Sequence, residues 1–157
     1  MKTLAKSNVK KIVLPEGDEE RTLKAAEIIH SEKIAELILV GSKDVIEANA
    51  KAFGVNLEGI RIEDPATSEK TKTYAAGLYE LRKNKGVTLE AAEKIVLDPM
   101  YFGTMMVKLD DAQGMVSGAV HTTGDLLRPG LQIIKTKPGI NVVSSFFIML
   151  LKDKTYG

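Results

Sequence analysis

The chain has 157 residues, 44% of them hydrophobic, and this length suits one domain of ordinary size with one main core. Lys and Arg number 22 against 21 Asp and Glu, so the formal net charge of +1 gives no indication of nucleic-acid binding. The absence of cysteine excludes disulfides, thiolate catalysis and cysteine metal sites, and it fits a cytoplasmic protein.

The N-terminal half alternates between strand and helix patterns, after a start at residues 1–11 that holds no apolar run of signal-peptide length. Asp18 occupies the expected N-cap position of the first helix, and Gly54 is a natural stop for the second. Because parallel neighbouring strands need a crossover, usually a helix, this order predicts an α/β fold with a mostly parallel sheet and helices on both faces. The pattern places strands at 11–14, 36–40 and 59–63 and helices at 18–30 and 43–53.

Helical patterns dominate the middle of the chain, and a strand, a helix and a final strand follow. Arg128 precedes Pro129, so we expect an extended Arg128 that ends or breaks the helix around it. The last strand contains the longest apolar run, which is well short of the ~20 residues that cross a membrane, so we expect no membrane partner. The predicted helices are 67–84, 88–97, 99–109 and 124–134, and the predicted strands are 114–120 and 140–151.

The densest chemical signal is residues 114–130, where a small-residue strand leads into a polar turn and a helix start. We expect several free backbone N–H groups there, and together with the helix dipole and the hydroxyls of Thr122 and Thr123 they would receive a phosphate or carboxylate. Gly118 and Gly124 would let a ligand approach the backbone closely. The pattern is neither a Walker loop nor a dinucleotide fingerprint, and plain helix capping explains it equally well.

Two groups of basic residues are candidate phosphate contacts. A positioned Arg128 guanidinium suits bidentate phosphate binding, although a surface ion pair with Asp125 is the alternative interpretation. Arg82 begins the cluster at residues 82–85, which lies at a predicted helix C-terminus where cations offset the helix dipole.

The two histidines make no case for a metal site, because neither has a cysteine partner or a second histidine at metal-binding spacing. Both His30 and His121 are expected to be structural or exposed. A Ser117, His121 and Asp125 triad can be written down, but closeness in sequence says little about triad geometry.

Residues 98–109 and 114–129 closely resemble phosphate acetyltransferases, and the similarity continues through residues 131–139. It begins at residues 13–21 and covers essentially the whole chain. The resemblance implies a fold similar to that of isocitrate and isopropylmalate dehydrogenases, with two domains facing each other across a cleft. It also implies an acyltransferase of acetate metabolism that moves an acetyl group between coenzyme A and inorganic phosphate.

The same resemblance assigns roles to individual residues. Arg82 and Arg128 look like the arginines that meet the phosphorylated nucleotide end of coenzyme A. The turn after the small-residue strand looks like cleft wall, and the expected substrate-binding residues are Arg82, Arg128, Ser117, Gly118, Thr122, Thr123 and Gly124. No metal and no cofactor beyond coenzyme A as a substrate are implied.

The chief departure from the family is length. Family members are considerably longer, and their catalytic Ser-Arg pair and aspartate lie in a C-terminal part, so this chain is expected to hold no catalytic residue and to be inactive alone. We expect an N-terminal α/β domain at residues 1–141 and, at 142–157, the truncated start of a second domain or an edge hairpin, because a polar turn follows the apolar strand. The full-length enzyme is expected to be a homodimer.

Two other functions stay open at this point. A phosphate butyryltransferase needs the same coenzyme A and phosphate contacts with a roomier acyl site. A non-catalytic domain could instead bind coenzyme A or an acyl phosphate without turnover.

Overall fold

A parallel four-stranded sheet organises the computed structural model, which describes residues 2–140 and 142–144. The strands are β1 (Lys11–Leu14), β2 (Glu36–Val40), β3 (Arg61–Glu63) and β4 (Gly114–Met115). Their spatial order is β3-β2-β1-β4. The helices are α1 (Lys2–Ser7), α2 (Glu20–Ser31), α3 (Lys43–Phe53), α4 (Thr71–Arg82), α5 (Leu89–Ile95), α6 (Pro99–Lys108) and α7 (Thr123–Pro129), with a 3₁₀ turn at Lys83–Lys85 and a π-helical turn at Gly130–Ile134.

Helices cover both faces of this sheet. Successive strand residues point to opposite faces, and in β2 the side chains of Ile38 and Val40 pack in one buried cluster while Leu37 and Leu39 pack in the other. The first cluster includes side chains of α4, α5 and α6, and the second includes side chains of α2 and α3. A strand that is buried on both faces is typical of a covered parallel sheet. The predicted α/β fold is therefore confirmed.

The local patterns of the first half correspond closely to its elements. The predicted residues of β1, β2 and α3 are the observed ones, and Gly54 ends α3 in the left-handed conformation with φ 67°. The predicted N-cap of α2 is wrong by one residue, because the carboxylate of Glu19, rather than Asp18, accepts the backbone N–H of Thr22. The third strand is shorter than predicted, because the residues before Arg61 form a turn.

The three helices predicted for the middle of the chain are confirmed as α4, α5 and α6, and each is shorter than predicted. Asp98 caps α6 by accepting the backbone N–H groups of Met100 and Tyr101, and Pro99 occupies the first turn. Gly103 lets this helix approach the sheet closely, because an added Cβ would lie 2.9 Å from Val13 Cγ1 and 2.9 Å from Met115 Sδ. The helix that carries Asp98 and Tyr101 is thus held directly against β1.

Two predictions for the region after α6 are wrong. Of the predicted strand 114–120, only Gly114–Met115 is a strand paired with β1. Val116 still donates its N–H to the Val13 carbonyl, and the chain then leaves the sheet. Arg128 is helical rather than extended, and α7 continues through Pro129, whose φ of −62° and ψ of −39° suit a helix. Pro129 and Ile133 are buried, and a π turn follows Pro129, which has no N–H to donate within the helix. Burial here outweighs the local bias against a helical residue before proline.

The predicted strand 140–151 falls mostly outside the described residues. Ile140 and residues 142–144 are described and are not in a strand, whereas residue 141 and residues 145–151 lie outside the description. The boundary between residues 1–141 and 142–157 therefore stays a prediction. Of the helices within the described ranges, none has the length and apolar character needed to cross a membrane.

Candidate functional site

The carboxylate of Glu16, at the carboxyl end of β1, is enclosed by the loop that follows β4. Its Oε2 accepts the backbone N–H groups of Gly118 and Ala119 at 2.9 and 2.8 Å. Its Oε1 accepts those of Val120 and His121 at 2.8 and 2.7 Å. The loop takes this path with the help of Gly118, whose φ of 115° is rarely adopted by residues with a side chain. One buried carboxylate therefore fills a nest of four consecutive N–H groups.

This arrangement corrects the expectation that these N–H groups are free to receive a phosphate, because Glu16 already occupies them. The Thr122 hydroxyl is also engaged, since it donates to Asp125 Oδ2 at 2.7 Å and accepts the Asp125 N–H at 3.3 Å in a capping box. Helix capping, the alternative interpretation of this turn, thus accounts for Thr122. Asp125 pairs with Thr122 and not, in the described residues, with Arg128.

The environment of Glu16 favours its charged form. Burial raises the pKa of Glu16, which is 3% exposed, but the hydrogen bonds donated by the backbone of His121, Val120 and Ala119 outweigh burial and hold that pKa well below its usual range. The site therefore contains a permanent, buried negative charge at neutral pH.

A ring nitrogen of His121 completes the contacts of Glu16, with Nδ1 at 2.9 Å from Oε1. This pair argues against the triad of Ser117, His121 and Asp125. Ser117 Oγ lies 3.4 Å from Met100 Sδ, and Asp125 is bonded to Thr122, so in the described part of the chain the three side chains make no hydrogen bonds to one another.

Arg21 holds the outside of the same loop. Its Nη2 donates to the backbone carbonyl of Ala119 at 2.6 Å, and its Nε donates to Glu19 at 2.7 Å. The first turn of α2 is thereby tied to the loop, with Glu19 serving both as N-cap and as the partner of the arginine.

A cavity of about 120 Å³ lies beside this loop, between the first turn of α6 and the α7 helix. Asp98 is the N-cap of α6 and Tyr101 lies in its first turn, His121 comes from the loop, and Asp125 and Arg128 come from α7. The Tyr101 hydroxyl contacts Oε1 of Gln132 in the π turn at 3.0 Å. The lining residues are Asp98, Met100, Tyr101, His121, Asp125 and Arg128.

One of the two predicted arginines, Arg128, lines this cavity. Burial raises the pKa of the Tyr101 hydroxyl, and among the charges around it Arg128 and Arg82 oppose that shift while Asp98 adds to it. Arg82 is the last residue of α4. Of the two predicted arginines, Arg128 therefore lines the cavity, and a role for Arg82 there stays a prediction.

The sheet order places Glu16 and the loop that encloses it at a topological switch point. The chain runs from β1 to β2 and β3 on one side and returns to β4 on the other side of β1. In open α/β sheets, ligands bind in the crevice outside the carboxyl ends of the strands at such a reversal. Glu16 follows β1 and the loop at 117–121 follows β4, so both lie at that crevice.

The other predicted site residues lie around this crevice with different environments. Ser117 and Gly118 belong to the loop, and Thr123 and Gly124 form the exposed first turn of α7. Glu16, Arg21 and Tyr101 were not predicted from the sequence as site residues. An acidic residue that directly follows a buried parallel strand was the available signal for Glu16, but its partners lie about a hundred residues away. Within the described ranges, no three His, Asp or Glu side chains are grouped to hold a metal.

Comparison with known proteins shows to which family the chain belongs. The family model described as phosphate acetyl/butaryl transferase matches residues 1–157. This chain belongs to that family. A phosphate acetyltransferase of Clostridium acetobutylicum is 55% identical over 153 residues, which are 98% of this chain and 46% of that protein. One of Thermoanaerobacterium thermosaccharolyticum is 56% identical, with the same two coverages.

Solved structures support the same assignment to the phosphate acetyl/butaryl transferase family. A phosphotransacetylase from Streptococcus pyogenes matches with a TM-score of 0.84 at 39% identity, covering 90% of this chain and 43% of that one. The EutD phosphotransacetylase from Staphylococcus aureus matches with a TM-score of 0.81 at 41% identity, covering 89% and 42%. The predicted resemblance is thus confirmed. The chain spans about half the length of the relatives it matches.

Proposed function

We propose that this chain supplies one wall of an enzyme that converts acetyl-CoA and inorganic phosphate to acetyl phosphate and coenzyme A, and the reverse. The observation that carries the proposal is the cavity at the switch point, where Arg128 lies on the wall together with Tyr101 and His121. The names of the phosphate acetyltransferases at 55% and 56% identity support the same reaction.

The two arginines are proposed to bind phosphate groups of coenzyme A. A guanidinium group binds phosphate bidentately and stays charged at every relevant pH. The remaining predicted contacts, Ser117, Gly118, Thr122, Thr123 and Gly124, would form the cleft wall. Because the Thr122 hydroxyl is used in the capping box, its proposed contribution is to hold the start of α7 and not to donate to substrate.

The proposed chemistry is direct acyl transfer. In the reverse direction, the coenzyme A thiol loses its proton to an aspartate in the part of the enzyme beyond this chain and attacks the acetyl carbon of acetyl phosphate. A C–S bond forms, the C–O bond to phosphate breaks, and phosphate leaves with the electron pair. Arginines and hydroxyls would stabilise the leaving phosphate, and alignment of the two substrates would supply much of the acceleration. We assign no catalytic residue to this chain.

The test is acetyl-CoA formation from acetyl phosphate and coenzyme A. The purified chain would be assayed alone and after mixing with the C-terminal half of the Clostridium acetobutylicum relative. We expect no turnover alone and measurable turnover after mixing. Robust turnover by the chain alone would contradict the proposal that the catalytic groups lie elsewhere.

The family description covers butyryl as well as acetyl transfer, so acyl length is a separate question. We expect acetyl phosphate to be preferred over butyryl phosphate, and a series of acyl phosphates of increasing length would measure the preference. Binding of coenzyme A without turnover, even after mixing, would instead favour a non-catalytic ligand-binding domain.

The proposed setting is that of a cytoplasmic enzyme of acetate metabolism that uses coenzyme A as a substrate and no other cofactor. Its partners would be coenzyme A, acetyl phosphate and phosphate, with no nucleic acid and no membrane. The near balance of charges and the absence of cysteine support this setting. A homodimer is proposed for the longer enzyme, and sedimentation equilibrium would measure it.

A further inference from the structure

The tautomer of His121 follows from its contact with Glu16. Four backbone N–H groups converge on the Glu16 side chain, which is therefore an ionised carboxylate and can only accept hydrogen bonds. Nδ1 of His121 lies 2.9 Å from Oε1, so Nδ1 must carry the proton that is donated. In the neutral ring the lone pair is then on Nε2.

Because Nδ1 is bound to Glu16, Nε2 is the ring nitrogen that is available to bind a ligand in the cavity. Glu16 does not line the cavity, whereas His121 does, and the His121 side chain is 38% exposed. Within residues 2–140 and 142–144, the polar contacts of His121 beyond Nδ1 involve only its backbone. In the neutral ring Nε2 can therefore accept a hydrogen bond from a ligand, and in the imidazolium form it would donate one.

The other charged side chains on the cavity wall differ in how many hydrogen bonds they already make within the protein. Asp98 accepts the N–H groups that begin α6, and Asp125 is bound to Thr122. Arg128 is in none of the ion pairs formed within the described part of the chain, although its charge helps to lower the pKa of Asp125. The groups free to meet a ligand are thus a guanidinium and an imidazole nitrogen, a pair that suits a phosphate oxygen more than a carboxylic acid or an apolar group.

We propose that Nε2 of His121 binds an oxygen of a phosphate-bearing ligand in the cavity beside Arg128. Neutral Nε2 accepts the P–OH hydrogen of a phosphate monoanion, and protonated Nε2 donates to the dianion. The identity of the ligand as phosphate or coenzyme A rests on the proposed function. Glu16 acts as a positioning residue, because its buried carboxylate fixes both the tautomer and the ring, while Asp98, Asp125, Arg128 and Arg21 are the other charges around the pair.

The first measurement is nitrogen NMR of the chain with ¹⁵N-labelled histidine. There are two histidines, so the His30→Asn variant assigns both sets of signals. We expect the free chain to show His121 protonated at Nδ1, and inorganic phosphate to shift Nε2 of His121 but not the His30 ring. Coenzyme A and its 3′-dephospho form, added separately, distinguish free phosphate from a nucleotide phosphate as the group bound.

A variant pair isolates the role of Nε2. His121→Asn keeps an N–H near the Nδ1 position that can donate to Glu16, but it has no nitrogen at the Nε2 position. Gln reaches toward the cavity but gives up the contact with Glu16. We expect His121→Asn to fold and to bind phosphate at least tenfold more weakly, as loss of a hydrogen bond to a charged group requires, with partial recovery in His121→Gln.

Three outcomes would overturn the inference. They are an Nε2-protonated tautomer in the free chain, unchanged phosphate affinity in His121→Asn, and an unperturbed His121 at saturating phosphate. If Arg128 side-chain signals respond to phosphate while His121 does not, the inference fails and the proposed acetyl transfer stands. If mixing with the C-terminal half yields no turnover although His121 binds phosphate, the proposed transfer fails and the inference stands.

Discussion

The carboxylate of Glu16 accepts a hydrogen bond from the backbone of Gly118 at 2.9 Å, although 102 positions separate the two residues. This contact joins the carboxyl end of β1 to the loop after β4 across the point where the sheet order reverses. The three following N–H groups bind the same carboxylate. The wall of the proposed cleft is thus built around a charge that is part of the protein.

Glu16→Gln should destabilise the chain by about 3 kcal/mol, because an amide offers one acceptor oxygen and places N–H groups against backbone donors that then stay buried and unpaired. The measurement is the free energy of unfolding from urea denaturation at neutral pH. Glu20→Gln is the matched control, since Glu20 pairs with Lys24 on the exposed face of α2 and should change stability by less than about 1 kcal/mol. Equal losses in the two variants would refute the assigned role of Glu16.

The Glu16 contribution should also depend on pH in a defined direction. The native pKa of Glu16 lies below the ordinary glutamate value of about 4.3, so between these values the unfolded chain binds more protons and stability rises with pH. The contribution is therefore complete above the ordinary value and is lost as pH falls below it toward the native pKa. We expect the stability gap between the chain and Glu16→Gln to narrow from pH 7 to pH 3. A constant or widening gap would contradict the sign.

Local sequence patterns were sufficient for the first half of the fold and insufficient for the site. The bounds of β1, β2 and α3 were predictable because apolar runs and the glycines that end these elements are signals contained within a few residues. The partners of Glu16 depend on a contact across the sheet that no local window contains. The helical state of Arg128 was mispredicted for the same reason, because the burial of Pro129 and Ile133 decides it and the local bias before proline points the other way.

Gly103→Ala should destabilise the chain by about 1–2 kcal/mol, because the new methyl group would overlap Val13 Cγ1, whose side chain is fully buried and stiff. Gly77→Ala in α4 is the control, since its methyl group would come close only to the flexible end of Met105, at 2.9 Å, with Leu109 Cδ1 at an ordinary contact distance of 3.7 Å. There the better helix propensity of alanine should leave stability unchanged or up to about 1 kcal/mol higher. Thermal or urea midpoints compare the two, and equal losses would argue against close packing of α6 on β1.

Thr122→Ala should lower stability by about 1 kcal/mol through loss of the N-cap of α7, while Thr122→Ser should keep the capping box and lose little. Coenzyme A affinity, measured by calorimetry, should change little in the serine variant. If Thr122 instead donates its hydroxyl to substrate, the alanine variant would lose affinity without losing stability.

Arg82→Ala and Arg128→Ala should each weaken binding of coenzyme A more than binding of its 3′-dephospho form, because a lost contact to a charged phosphate is worth roughly 1.5–3 kcal/mol. Calorimetry with both ligands gives the two losses for each variant. Arg61→Ala is the matched control, since Arg61 lies on the edge strand β3 and pairs with Glu63, remote from the cavity residues of α6 and α7. It should leave both affinities unchanged. Equal weakening of the two ligands by Arg128→Ala would place that guanidinium on a different phosphate of the nucleotide or on the acyl phosphate, and would remove it from the 3′-phosphate site.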